Sequence, residues 1–316
     1  MRALLVGAEP STRHDFAFGW RSLQRSRHID ELPGGLAHPS AAQPLHLIGE
    51  DGHAAEQALP GSSELEVPLS DTSALAPALR QLVELSQQGS VIVGASPCGA
   101  HDGGAGAWHA LTPRERQALA ELAPRLTVAY VEETSLLGVG GRGLELAKTT
   151  QDFPGGTADA TTVAQAAQAA DRAITEFLTE LSHTTGRLEI ELARLARQPG
   201  TAMAGGVAFT LAALGARLSD GLSVVAEAAG WQDRIADADV VFVLSEENDA
   251  NAVLSGLPVT VGGLAQQAGT ACAVVGSGEK LPRRTLATIG ITDLFDRGER
   301  TWYDVGRAMA ATWCVG

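Results

Sequence analysis

Aromatic residues make up only 4% of this chain of 316 residues, and it has just 3 cysteines. Cys98, Cys272 and Cys314 are far apart and odd in number, with no CxxC pair. That excludes a disulfide framework and a zinc-finger signature, and it fits a reducing compartment. Positive charge is short as well: 23 Lys and Arg against 37 Asp and Glu give a formal net charge of −14. Binding to nucleic acid or to an anionic membrane needs basic patches, so neither partner is expected, although a local basic pocket for a small anion stays open. No apolar run is long and pure enough to span a bilayer. The N-terminal run MRALLVGAEP is too short for a signal peptide, and a cytoplasmic protein is expected. There is no repeat of fixed period, no Walker A loop and no GxSxG elbow, since GASPC lacks the final Gly.

What is present is small and aliphatic. Hydrophobic residues form 45% of the chain and Gly occurs 36 times. Cores rich in Ala and Gly, with close helix–sheet packing, follow from that. The length suits one large or two medium domains. Short β-branched runs alternate with longer helical patterns. Strands are predicted over 3–7, 91–94, 126–131, 239–244 and 272–276. Helices are predicted over 71–89, 157–182, 188–196, 203–218 and 304–313. Residues 26–44 read as a surface loop or a shortened connection. Such alternation implies a mainly parallel α/β architecture, with ligands bound beyond the carboxyl ends of strands. The loops after Val6, Val93, Val131 and Leu244 are therefore the candidate site.

The most informative stretch is SVIVGASPCGAHDGGAGAWHAL, residues 90–111. An apolar strand runs into a loop of small residues that carries Asp102 and then GGAG. Small residues admit close approach of a ligand, and exposed main-chain amides bind anions. A tight strand-to-helix connection with an Asp cap explains the same string. Other carboxylates follow apolar runs too: Glu50 and Asp51 after LHLIG, Glu132 and Glu133 after LTVAYV, and Glu246, Glu247 and Asp249 after DVVFVL. Each alone is accounted for by a solvated loop or a cap; as a set at corresponding strand ends they are candidates for a phosphoryl-transfer site. Arg13, Arg142 and Lys148 are the basic options. His101 is a candidate base beside Asp102, or a loop His that only packs. GVGGRG (Gly138, Gly140, Gly143) does not directly end a strand, so a glycine-rich loop explains it better than a dinucleotide fingerprint.

These blocks, in this order, resemble the bacterial two-domain glycerate kinase family. Gly94 and 102–106 match a GGSATNDGGAG-like loop, and 136–138 match the end of a DVDNPLLG-like exit. GTAMAGGVAFTLAALGARLSDG keeps Gly200, Ala204, Gly205, Gly206, Leu214, Gly215, Ala216 and Gly221. ADADVVFVLSEENDANAVLSGLP keeps Ala238, Asp239, Asp249 and Pro258. The likeness spans roughly 72–275, and AEPSTR places Arg13 where the family has Lys. The resemblance implies an α/β fold of two domains. A Rossmann-like domain would come from both chain ends (1–66 and 232–316), with an inserted mixed α/β domain (67–231) and the site in the cleft. It implies transfer of the ATP γ-phosphoryl group to a hydroxyl of glycerate or a related small hydroxy acid, with magnesium. Asp102, Asp249 and Arg13 would be catalytic, with both Asp residues at the metal. Gly103, Gly104, Gly205, Gly206, His101, Glu132 and Asp51 would bind substrate or nucleotide. The departures matter. The family's Asp after the second strand is Val131, its Gly-Gly-Ser is Ser96, Pro97 and Cys98, its GEG is Leu244, Ser245 and Glu246, and its GKAP Lys is Gly256. A catalytically impaired relative that binds a ligand or a regulatory partner is the alternative.

Overall fold

The computed structural model describes residues 1–7, 10–23, 28–33, 44–49, 59–60, 65, 69–85, 91–138, 140–149, 160–247, 253–254, 256–277 and 281–313. The chain is α/β and divides into two compact units. One comprises 1–37, 50–53 and 222–316, and the other 38–49 and 54–221. The first unit opens with β1 (Arg2–Gly7), α1 (Pro10–Leu23) and β2 (His28–Pro33). The second carries β3 (Leu45–Ile48), α2 (Ala76–Leu85), β4 (Val91–Ala95), α3 (Ala105–His109), α4 (Pro113–Leu122) and β5 (Leu126–Tyr130). It continues with α5 (Arg142–Thr149), α6 (Ala160–Thr185), α7 (Glu189–Leu195), α8 (Val207–Ala213) and β6 (Arg217–Asp220). After α9 (Gly221–Ala228) come α10 (Trp231–Ala236), β7 (Val240–Glu247), α11 (Gly256–Ala268), β8 (Ala271–Ser277), α12 (Arg283–Thr288), β9 (Asp293–Asp296) and α13 (Trp302–Trp313). Among the described residues no helix is long and apolar enough to cross a membrane.

In the first unit a 5-stranded sheet has the order β2-β1-β7-β8-β9, and every pairing is parallel. Its central strands read as unbroken apolar runs because both faces are covered: Leu4, Leu5, Val241, Phe242, Ala273 and Val274 are all buried. Phe242 gathers the few aromatics, with Phe16, Trp20 and Trp313 at ring-centroid distances of 5.6, 5.2 and 5.9 Å. Gly19 of α1 and Gly306 of α13 let the two helices touch backbone to backbone. A Cβ on Gly19 would collide with the Tyr303 carbonyl, and one on Gly306 with that of Phe16.

In the second unit a 4-stranded sheet has the order β3-β4-β5-β6. β3 runs antiparallel to β4 and the other pairings are parallel. Its core takes Leu79 and Leu82 of α2, Trp108 of α3, Ile174, Phe177 and Leu181 of α6, and nearly all of α8. The helix α4 starts on a capping box: the Thr112 hydroxyl accepts from Glu115 N–H, and the Glu115 carboxylate accepts from Thr112 N–H.

Three sequence expectations change. Within the segment 26–44 expected to be loop, residues 28–33 form β2, an edge strand whose Ile29 and Leu32 are buried while its polar residues stay partly exposed. The rest of that segment up to residue 43 lies outside the described residues. The single helix expected over 203–218 is three elements. Met203–Gly206 is a 3-10 turn with Ala204 and Gly205 in the left-handed region, α8 follows, and Gly215 at φ +115° releases the chain into β6. The helix expected from residue 71 begins as a 3-10 turn at Ser73–Leu75 before α2.

Candidate active site

The loop leaving β4 is the centre of the second unit. Gly94 has no side chain because the His46 ring of the adjacent strand lies where a Cβ would stand. Burial holds His46 at about 4, well below its ordinary value, so it is neutral there. Beyond Ala95, Ser96 N–H donates to Pro44 O at 2.8 Å, and Ser96 O accepts from Ala204 N–H at 2.8 Å. Residues 98 to 101 are buried. The Cys98 thiol is pushed up to about 11 by burial, against the opposing pull of the Ala100 backbone and Arg142.

Asp102 sits at the head of α3. Its Oδ1 accepts from Gly104 N–H at 2.9 Å and from the Thr72 hydroxyl at 2.9 Å. Its Oδ2 accepts from Thr72 N–H at 2.9 Å and from Gly106 N–H at 2.8 Å, with the Thr72 hydroxyl at 3.1 Å. The small residues of the motif serve close packing between loops. Gly103 (φ +74°) and Gly104 (φ +87°) lie against Gly205 and Gly206. A Cβ on Gly206 would collide with Gly103, and Gly103 N–H donates to Gly205 O at 3.1 Å. The Thr210 hydroxyl closes the contact onto Gly103 O at 2.7 Å. The amides of Gly103 and Gly104, expected from sequence to face phosphate or carboxylate, are thus committed within the protein.

His101 is buried, with Nε2 3.4 Å from Asp171 Oδ1 of α6. Its Nδ1 has no hydrogen-bond partner among the described residues. The first turn of α5 covers it, since a Cβ on Gly143 would stand 2.7 Å from His101 Nε2. Arg142 begins that turn, with Nη1 3.1 Å from Glu145 Oε2. Its Nε is buried and unpartnered among the described residues. In GVGGRG, Gly141 N–H donates to Gly138 O at 3.1 Å, and Arg142 and Gly143 open α5. β5 ends at Tyr130, well before it, so the strand that a dinucleotide fingerprint requires is not there. Gly138, Gly140 and Asp171 line a cavity of about 250 Å³ beside α6.

Glu132 lies just beyond β5, next to the exit of β4, and is exposed. In the first unit Arg13 is buried in the first turns of α1 and donates to the Gly7 carbonyl at the end of β1. Asp249 and Asp51 lie outside the described residues. Thr72 and Asp171 were not singled out from sequence. Thr72 stands in a Ser/Thr-rich helix start, SDTSAL, which is the kind of signal that finds a cap, but its partner is 30 residues away. Asp171 looks like any charge on an Ala-rich helix.

Magnesium at Asp102 does not fit this geometry. A carboxylate has about four acceptor positions, and here they are filled by amides and a hydroxyl. Among the described residues no group of three or more His, Cys, Asp or Glu side chains is placed to hold a metal ion.

A family model described as the glycerate kinase family matches residues 66–312. The chain belongs to the glycerate kinase family. The crystal structure of "putative glycerate kinase 2" from Salmonella typhimurium LT2 resembles it with a TM-score of 0.67 at 16% identity, covering 100% of this chain and 99% of that one. At that identity the likeness shows the fold. No curated protein matches. Membership of the glycerate kinase family makes the chain kinase-like, with ATP the family's phosphate donor and small molecules its substrates.

Proposed function

We propose that this protein transfers the γ-phosphoryl group of ATP to a hydroxyl of glycerate or a related small hydroxy acid. The family match over residues 66–312 carries the reading. The acceptor hydroxyl gives up its proton to solvent as its oxygen bonds to the γ-phosphorus, the bond to the β,γ-bridging oxygen breaks and ADP leaves. Such transfer asks the protein chiefly for positioning and for positive groups where charge develops. Buried Arg13 and half-buried Arg142 supply candidates in a strongly acidic chain. Arg13 stands at the carboxyl end of β1, and Arg142 begins the helix that covers His101. In this reading Arg13 neutralises phosphate charge and Arg142 attracts the acid's carboxylate. His101, Glu132, Asp51 and Asp249 contribute to the substrate and nucleotide surroundings, and Asp102 shapes the loop.

Calorimetric titration with magnesium–ATP, with and without glycerate, tests the proposal when paired with an ADP assay. Binding of both ligands with glycerate-dependent ADP release is the expected result. Binding without ADP release would instead make this a glycerate-kinase-fold protein that senses a ligand or regulates a partner. Binding of neither would overturn the reading.

A further inference from the structure

We propose that the carboxylate of Asp102 is the resident anion of its own glycine loop, held there by Thr72, and that this pair positions the loop rather than ligating magnesium. The sequence DGGAG looks like a cradle of free amides waiting for a phosphate. In the fold the cradle is already filled. Gly104 N–H and Gly106 N–H converge on the two Asp102 oxygens at 2.9 and 2.8 Å, the place an external anion would take above main-chain amides. Gly106 is glycine for that reason: a Cβ there would stand 2.8 Å from Asp102 Oδ2 and 2.8 Å from Ser73 N.

Thr72 completes the clamp from another segment. Its N–H and hydroxyl both donate to Asp102. Its hydroxyl oxygen accepts from Ala107 N–H at 3.0 Å, and its carbonyl accepts from Leu75 N–H at 2.8 Å. Residues 69–75 are therefore stitched along the β4-exit loop, with His101 N–H donating to Ser70 O at 3.0 Å and Leu69 N–H to Gly99 O at 2.8 Å. Leu69 sits at φ +58°. A leucine holds that left-handed conformation only where its surroundings impose it, and these stitches do so. A magnesium ion, which wants oxygens at close octahedral range, would have to strip amides from a part-buried carboxylate, leaving them unsatisfied.

The clamp does not rest on phosphoryl transfer, and its test needs no substrate. Amide hydrogen exchange and magnesium binding by calorimetry are measured on the full chain and on D102N, T72V and T72S. Exchange at Gly104 and Gly106 is expected to quicken about tenfold or more in D102N and T72V, and to return to within about twofold of the parent in T72S, which keeps the hydroxyl. The magnesium isotherm should be the same in parent and variants. If D102N does not fold, the T72V and T72S pair decides. Unchanged exchange at both glycines in T72V would overturn the proposal. So would a magnesium affinity lost in D102N while exchange stays at the parent level.

Discussion

His46 shows how one residue's surroundings set a property its sequence neighbours do not suggest. The LHLI run reads as apolar, and the His within it is buried against Gly94 with both ring nitrogens unpartnered among the described residues. Burial lowers its pKa from 6.5 to about 4. Above about 6.5 the imidazole is neutral in folded and unfolded chains and stability does not depend on it. Between 6.5 and about 4 only the unfolded chain takes the proton, so stability falls as pH falls; below about 4 both take it and the loss ends. The full span is worth at most about 3 kcal/mol. Urea unfolding of the parent and of His46→Gln across that range is expected to show a shallower slope in the variant. Equal slopes would place the acid sensitivity elsewhere. Gly206, at φ +99° and in contact with Gly103, is another residue whose reason lies far along the chain. The sequence marked both glycines but could not say whether a ligand or another loop comes close.

At the scale of elements, continuous apolar runs and helical periods were legible and part-buried strands were not. Eight predicted elements appear close to where they were expected: β1, β4, β5, β7, β8, α6, α7 and α13. Continuous apolar runs and helical spacing are local signals that burial reinforces. β2 was missed because an edge strand needs burial at only some of its positions. β6 was hidden because Gly215 ends α8 inside an apolar run. The crossing of α1 and α13 was equally unreadable, since FAFG and DVGR name no partner. It yields a prediction. Gly306→Ala puts a methyl into the Phe16 carbonyl, which overpacking makes cost about 1–3 kcal/mol. That outweighs the gain of up to about 1 kcal/mol that Ala brings to a helix interior. The urea midpoint should drop; a rise would mean the helices part without penalty.

Across the whole molecule, two units each carry their own sheet and their own buried cluster. Each also holds a buried cysteine whose thiol is pushed up by burial, Cys98 to about 11 and Cys272 to about 12. A protonated, enclosed thiol is inert, so a thiol reagent near pH 8 reaches either only when its unit opens. Site-resolved mass spectrometry of native protein should find both unlabelled over minutes and both labelled in denaturant. Rapid native labelling of one would mark the less stable unit. The sequence by itself determined the α/β class, the order of the family's glycine blocks and the acidic balance, because composition and local periodicity act over a few residues. Tertiary structure alone decided what the glycines and Asp102 are for. Whether a bare amide meets a phosphate or a carboxylate of its own chain depends on which distant segment folds over it, and here that segment brings Thr72.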